Sequence, residues 1–170
     1  GIAYLAFYLI SQTKRQTTEI NNLVASKNNK MSNESVSKLS NLIISESKKH
    51  QLDPKLIVAI ISVESDFQQK AKSKAGAIGL MQIRPFVAKA AADELGIKWE
   101  GQKTLNNPET NVKIGIYYFA KLHNHFNKNI RLSLSAYNHG PTTVRKLIRL
   151  GKTLPTSYSN KVLATYQDLG

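Results

Sequence analysis

The chain of 170 residues contains no cysteine. That excludes a disulfide scaffold, thiolate metal sites and a cysteine nucleophile, and it leaves the redox compartment open. Acids are scarce: 11 Asp and Glu stand against 24 Lys and Arg, a net charge of +13. No acid at all falls between Thr110 and Gln167, where nine Lys and Arg occur. Long hydrophobic runs are missing too. Gly1–Ile10 is apolar apart from two tyrosine hydroxyls, but it is half of the about 20 residues that a bilayer span needs. No alternating pattern long enough for a useful strand occurs, and there is no internal repeat.

What is present suits a single domain with one buried core, since 41% of the residues are hydrophobic. The pI near 9.9 points to an anionic partner: nucleic acid, an anionic membrane surface or an acidic cell-wall polymer. The same excess also fits a solvated basic face that only aids solubility. Two alternatives stand for Gly1–Ile10: the downstream end of a membrane anchor, or a packing helix. Residues 11–35 are polar, and Ser26–Ser35, rich in Ser, Asn and Lys, is expected as a linker or frayed helix end. The division expected is therefore 1–35, apolar segment plus polar linker, and 36–170, the folded domain.

From Val36 onward the punctuation is helical. Val36, Leu39, Leu42 and Ile43 recur at helix spacing. Asp53-Pro54 and Asn107-Pro108 each pair a capping side chain with a proline preorganised at the first helical position. Arg84-Pro85 opens another helix that Gly96 stops, Ile130–Tyr137 forms a shorter one, and Gly140-Pro141 starts the next. A last helix is expected over Tyr158–Leu169. The expectation is a mainly α domain of six to eight helices, irregular over Phe67–Gly79.

Glu64 is the acid in an unusual place. It ends the apolar run Leu56–Val63 and shares a helical face with Ile57 and Ile60. Burial disfavours the charged carboxylate and raises its pKa, which suits a general acid at neutral pH. Asp66 falls on a different face, and Asp93, Glu94, Glu100 and Glu109 sit near helix ends or in a loop, where capping or solvated roles are expected. No metal set is legible: His123 and His125 are two apart, off one face, with no acid near in sequence. Gly76-Ala77-Ile78-Gly79 lacks the Lys-Ser/Thr of a phosphate loop. No cofactor is called for, and nothing in the sequence fixes an oligomeric state.

After Glu64-Ser65 come Ser73, nine residues on from Glu64, then Gly76-Ala77-Ile78-Gly79-Leu80-Met81-Gln82, and much later Ala136-Tyr137-Asn138-His139-Gly140. Asn111, Gly115, Tyr118 and Phe119 lie between, and Tyr158 with Lys161-Val162-Leu163 follows. Together, in order and at matching spacing, these motifs resemble the soluble lytic transglycosylase (SLT) domain, of the lysozyme-like superfamily and the glycoside hydrolase family 23 type. The resemblance covers about Val36–Leu169. It implies a lysozyme-like catalytic domain with a substrate groove, and an enzyme of the cell envelope or periplasm, membrane-anchored if the apolar segment completes a span. The partner it implies is peptidoglycan rather than nucleic acid. The reaction it implies cuts the β-1,4 bond between N-acetylmuramic acid (MurNAc) and N-acetylglucosamine (GlcNAc), leaving 1,6-anhydro ends.

Carried over residue by residue, the resemblance makes Glu64 the acid and then the base. Ser73 would bind near the N-acetyl group, and Gln82 would line the groove. Tyr137 would turn its hydroxyl to the glutamate. Asn138 would shape the turn before Gly140, and Tyr118 would lie near the centre or in the core. Four positions depart from the family: His139 replaces a small residue, Arg84 stands where Met is common, and Gln68-Gln69 replaces Asn-Pro. Arg84 near the groove can pair with muramoyl or peptide carboxylates through its planar fork. The alternatives are a water-using muramidase, or a non-catalytic glycan-binding or assembly protein, on the same fold.

Overall fold

A computed structural model describes all 170 residues as nine α-helices and their connections. They are α1 (Ile2–Lys27), α2 (Asn33–Lys49), α3 (Pro54–Ser65), α4 (Pro85–Leu95), α5 (Gln102–Asn106), α6 (Pro108–His125), α7 (Ile130–His139), α8 (Pro141–Arg149) and α9 (Ser157–Asp168). The only β pairing is two isolated bridges, Lys72 with Ile78 and Ile78 with Ile83, inside the long connection between α3 and α4. The irregular stretch thus runs on to Arg84, beyond the expected Gly79.

Helix α3 is the axis of the molecule. Leu56 through Ile61 are all buried, so this segment has no solvent face. A helix apolar all round can be accommodated only by neighbours on every side. Those neighbours are α1, α2 and α9. Helix α9 lies antiparallel along α3, because Tyr166 near its end donates to the α3 cap Asp53 while Tyr158 near its start reaches Glu64 at the other end of α3. The second hub is α6, packed on α2, α4, α5 and α7.

The caps follow local chemistry. Asp53 Oδ1 accepts from the Lys55 amide at 2.9 Å, and Asn107 Oδ1 from Glu109 and Thr110 at 2.9 and 3.1 Å. Prolines hold the first turns of α3, α4, α6 and α8.

Three features differ from expectation. Helix α5, which no cap or periodicity announces, is an element the sequence did not mark, and with it the region from α2 onward holds eight helices, within the six to eight expected there. Helix α2 begins at Asn33 rather than Val36, because Ser32 caps it on the Ser35 amide. Helix α1 continues through most of the polar segment. Its Ser11, Thr13, Thr17 and Ser26 hydroxyls bond carbonyls three or four residues back within the helix. Ile20 and Val24 are buried in the main core, and Glu19 pairs with Lys55 of α3 at 2.6 Å. Only Asn28–Ser32 remains as a connection.

Candidate active site

The apolar axis of α3 ends at a groove. Ser62, Val63 and Glu64 are half-buried where Leu56–Ile61 are buried, so the last turn emerges from the core with the carboxylate at its edge. Asp66 and Phe67 then take left-handed conformations, φ 48° and 57°, and the chain reverses. Buried Phe67 anchors the reversal, and its carbonyl accepts from Asn28 Nδ2 at 3.1 Å. The Ser65 hydroxyl donates to the Leu80 carbonyl at 2.7 Å and ties the end of α3 to the returning loop.

That loop is held from behind by Asn111 of α6, a fully buried amide. Its Oδ1 accepts from the Met81 amide at 3.0 Å, and its Nδ2 donates to Ile78 and Leu105 carbonyls at 2.9 and 3.0 Å. Two glycines make the fit possible. A Cβ at Gly79 would overlap the Asn111 amide, at a φ of 77°. A Cβ at Gly115 would overlap the Met81 side chain. Backbones therefore approach here as only glycine permits.

The groove has a volume of about 550 Å³, and Glu64 is the only acid that lines it. Burial raises the Glu64 carboxyl to about 7, against the smaller opposing effects of a hydrogen bond from Tyr158 and the charge of Lys161. The Tyr158 hydroxyl donates to Glu64 Oε1 at 2.6 Å. Asp66 is exposed beyond the helix end, Asp93 pairs with Lys89, Glu94 with Lys121 and Glu100 with Lys98 and Lys103. No three His, Asp or Glu side chains converge to hold a metal ion.

The residues singled out from sequence converge on this groove: Glu64, Ser73, Gln82, Tyr118, Tyr137 and Asn138 all line it, as do Arg84 and His139. Their local work differs. Ser73 Oγ accepts from the Ala77 amide at 3.0 Å and so shapes its own turn. Gln82 Nε2 donates to the Ala71 and Gly79 carbonyls at 3.1 and 2.9 Å, bracing the loop whose wall it forms. The Tyr118 and Tyr137 rings lie 5.7 Å apart.

The expected contact of Tyr137 is corrected. Its hydroxyl donates to the Met81 carbonyl at 2.7 Å, and the phenol on Glu64 belongs to Tyr158. The reason is topological: α9 runs back along α3 and sets its first turn over the last turn of α3. Tyr137 is still near enough for the Glu64 charge to add to the burial that pushes its phenol up. Tyr158 was missed as a site residue although a signal existed. Tyr158 and Lys161, three apart on one helix face, both act on Glu64.

A family model for the Transglycosylase SLT domain matches residues 41–160. The chain is 35% identical over 125 residues to the membrane-bound lytic murein transglycosylase E of Buchnera aphidicola subsp. Baizongia pistaciae, covering 68% of this chain and 59% of that one. It is 39% identical over 89 residues to the soluble lytic murein transglycosylase of Escherichia coli K12, covering 52% of this chain and 14% of that one. Both relatives thus extend well beyond the matched part. Among solved structures, the 70 kDa soluble lytic transglycosylase of Escherichia coli superposes with a TM-score of 0.68 at 28% identity, over 76% of this chain and 23% of that one. An inactive glutamate-to-glutamine mutant of the lytic transglycosylase Slt of Pseudomonas aeruginosa gives 0.61 at 31% identity, over 76% of this chain and 22% of that one. A family match over most of the chain, a shared fold and a groove built on the family's motif positions lead to one conclusion: the chain belongs to the transglycosylase SLT domain family.

Proposed function

We propose that this chain is a peptidoglycan lytic transglycosylase that cleaves the β-1,4 bond between MurNAc and GlcNAc without water. The observation that carries it is a single groove carboxylate, Glu64, whose burial raises it to about 7. A group poised near neutral pH can serve as acid and then as base. Glycosidases that use two carboxylates need a second one across the scissile bond, and this groove offers none.

The steps balance on one residue. Protonated Glu64 gives its proton to the glycosidic oxygen, the C1–O bond breaks, and GlcNAc leaves with its hydroxyl restored. Glu64, now a carboxylate, is held at Oε1 by the Tyr158 hydroxyl and attracted by Lys161. It accepts the proton of the muramoyl C6 hydroxyl as that oxygen bonds to C1. The product is a 1,6-anhydro ring, and Glu64 ends protonated as it began. In this scheme Ser73, Gln82, Tyr118, Tyr137 and Asn138 form the walls that hold the sugars.

Such a substrate places the enzyme in the cell envelope. No helix is long and apolar enough to cross a membrane. The first turns of α1 nevertheless expose Ile2, Tyr4, Leu5, Phe7, Leu9 and Ile10, and Lys14 and Arg15 follow them. Apolar side chains on all faces, next to cations, suit attachment to an anionic lipid surface.

Incubation with murein sacculi and mass analysis of the released fragments tests the reaction. Anhydro-ended fragments, one water lighter than hydrolytic ones, are expected, and Glu64→Gln should remove them. Fragments with reducing ends only would mean a muramidase, and unchanged cleavage by Glu64→Gln would remove Glu64 from the mechanism.

A further inference from the structure

Among the groove-lining side chains the one permanent cation is Arg84, and nothing in the protein neutralises it. It belongs to none of the five ion pairs of the chain, and its guanidinium donates no hydrogen bond. It does not serve Glu64, whose cationic neighbour is Lys161 of α9. Its charge is felt at the Tyr118 phenol, which it opposes burial in lowering. Within the groove Tyr118 packs on Tyr137, which feels the Glu64 charge, while Arg84 acts on Tyr118.

Two residues past Arg84, Phe86 is 73% exposed. Phe86, Val87 and Tyr118 line both the main groove and a second depression of about 220 Å³. That depression is walled by Ala90 and Ala91 and ends at Glu94 and Lys121, which satisfy each other at 2.7 Å. So the part of the groove that adjoins this depression offers an uncovered aromatic ring, an apolar recess and one uncommitted guanidinium. A sugar hydroxyl face alone has no need of a charge there. A guanidinium fork matches a carboxylate bidentately.

We propose that the Arg84–Phe86 part of the groove is a subsite for the carboxylate-bearing peptide stem of the wall polymer, with Arg84 on the carboxylate and Phe86 and Val87 on the small apolar side chains. This rests on the peptidoglycan reading above. The polymer has two sources of carboxylate, the stem and the lactyl group of stripped strands. The apolar recess beside Arg84 favours the stem.

Binding is measured in the Glu64→Gln protein, so that affinity is read whether or not the wild type cleaves. Three soluble glycan strands serve as probes: with free stem carboxylates, with amidated stems, and stripped to the lactyl group. Free stems are expected to bind about fivefold more tightly than amidated ones, the scale of a solvent-accessible charge-assisted contact. Arg84→Met should erase that ratio, and Arg84→Lys should restore part of it. An unchanged ratio in Arg84→Met, or no ratio at all, overturns the subsite. Arg84-dependent binding confined to stripped strands overturns the stem assignment. Wild-type protein that makes no anhydro ends, with the binding ratio intact, would overturn the proposed reaction and leave the subsite standing.

Discussion

Tyr158 and Glu64 are 94 residues apart in sequence and 2.6 Å apart in the structure. A phenol donating to a carboxylate favours its charged form, so Tyr158 pulls against the burial that raises Glu64. Removing the hydroxyl lets burial act with less opposition. Tyr158→Phe should therefore move the alkaline limb of the pH–activity profile upward from about 7, because Glu64 stays protonated to higher pH. The rate at the optimum should fall, since the carboxylate loses the bond that orients it. A pH profile of anhydro-end formation checks both signs, and a downward or absent shift would deny Tyr158 this role. At this scale the sequence was legible where partners are neighbours. Asp53 and Asn107 declared themselves as caps because each accepts from amides two or three residues on. Glu64 declared itself because a carboxylate that closes an apolar helical run stands where desolvation acts on it. Which tyrosine would meet it was not legible, because that depends on how α9 docks on α3.

Helices with a proline in the first turn were the readable elements, and α3, α4, α6 and α8 begin where their sequences say. Helix α1 was harder to see, since only Ile20 and Val24 of its 26 residues are buried and its polar positions leave no stripe. The packing of α6 against the Gly79–Gln82 loop was invisible in any helical pattern. There, Gly115 admits Met81, and the Met81 carbonyl holds the Tyr137 hydroxyl. Gly115→Ala should push the loop off α6 and cost about 1–3 kcal/mol, as overpacked cores do. Denaturant unfolding measures the loss, and activity should fall further than stability because the displaced loop carries Gln82. A variant as stable as the parent would mean that the Met81 side chain gives way without strain.

The molecule as a whole carries its +13 charge unevenly, with no acid between Thr110 and Gln167. That stretch supplies most of α6, all of α7 and α8 and nearly all of α9, and of its cations only Lys121 pairs with an acid, which leaves a basic face. At the other extreme of the molecule, Ile2 is 89% and Phe7 72% exposed on α1. The protein should float with vesicles containing anionic lipid and be released by Phe7→Ser combined with Ile2→Ser, with no loss of folding stability, since neither residue touches the core. Flotation of the double variant equal to the parent would assign the attachment to the basic face instead.

The junction at Asn28 has a mechanical consequence. Helix α1 does not dangle: Ile20 and Val24 seat it, Glu19 clips it to α3, and Asn28 reaches the Phe67 carbonyl in the turn that follows Glu64. At 1.5 Å per residue, its length is about 39 Å. A flexible tether lets its cargo sweep a volume, whereas a seated rod fixes a radius. Whatever grips the N-terminal turns of α1 thereby sets the height at which the groove stands.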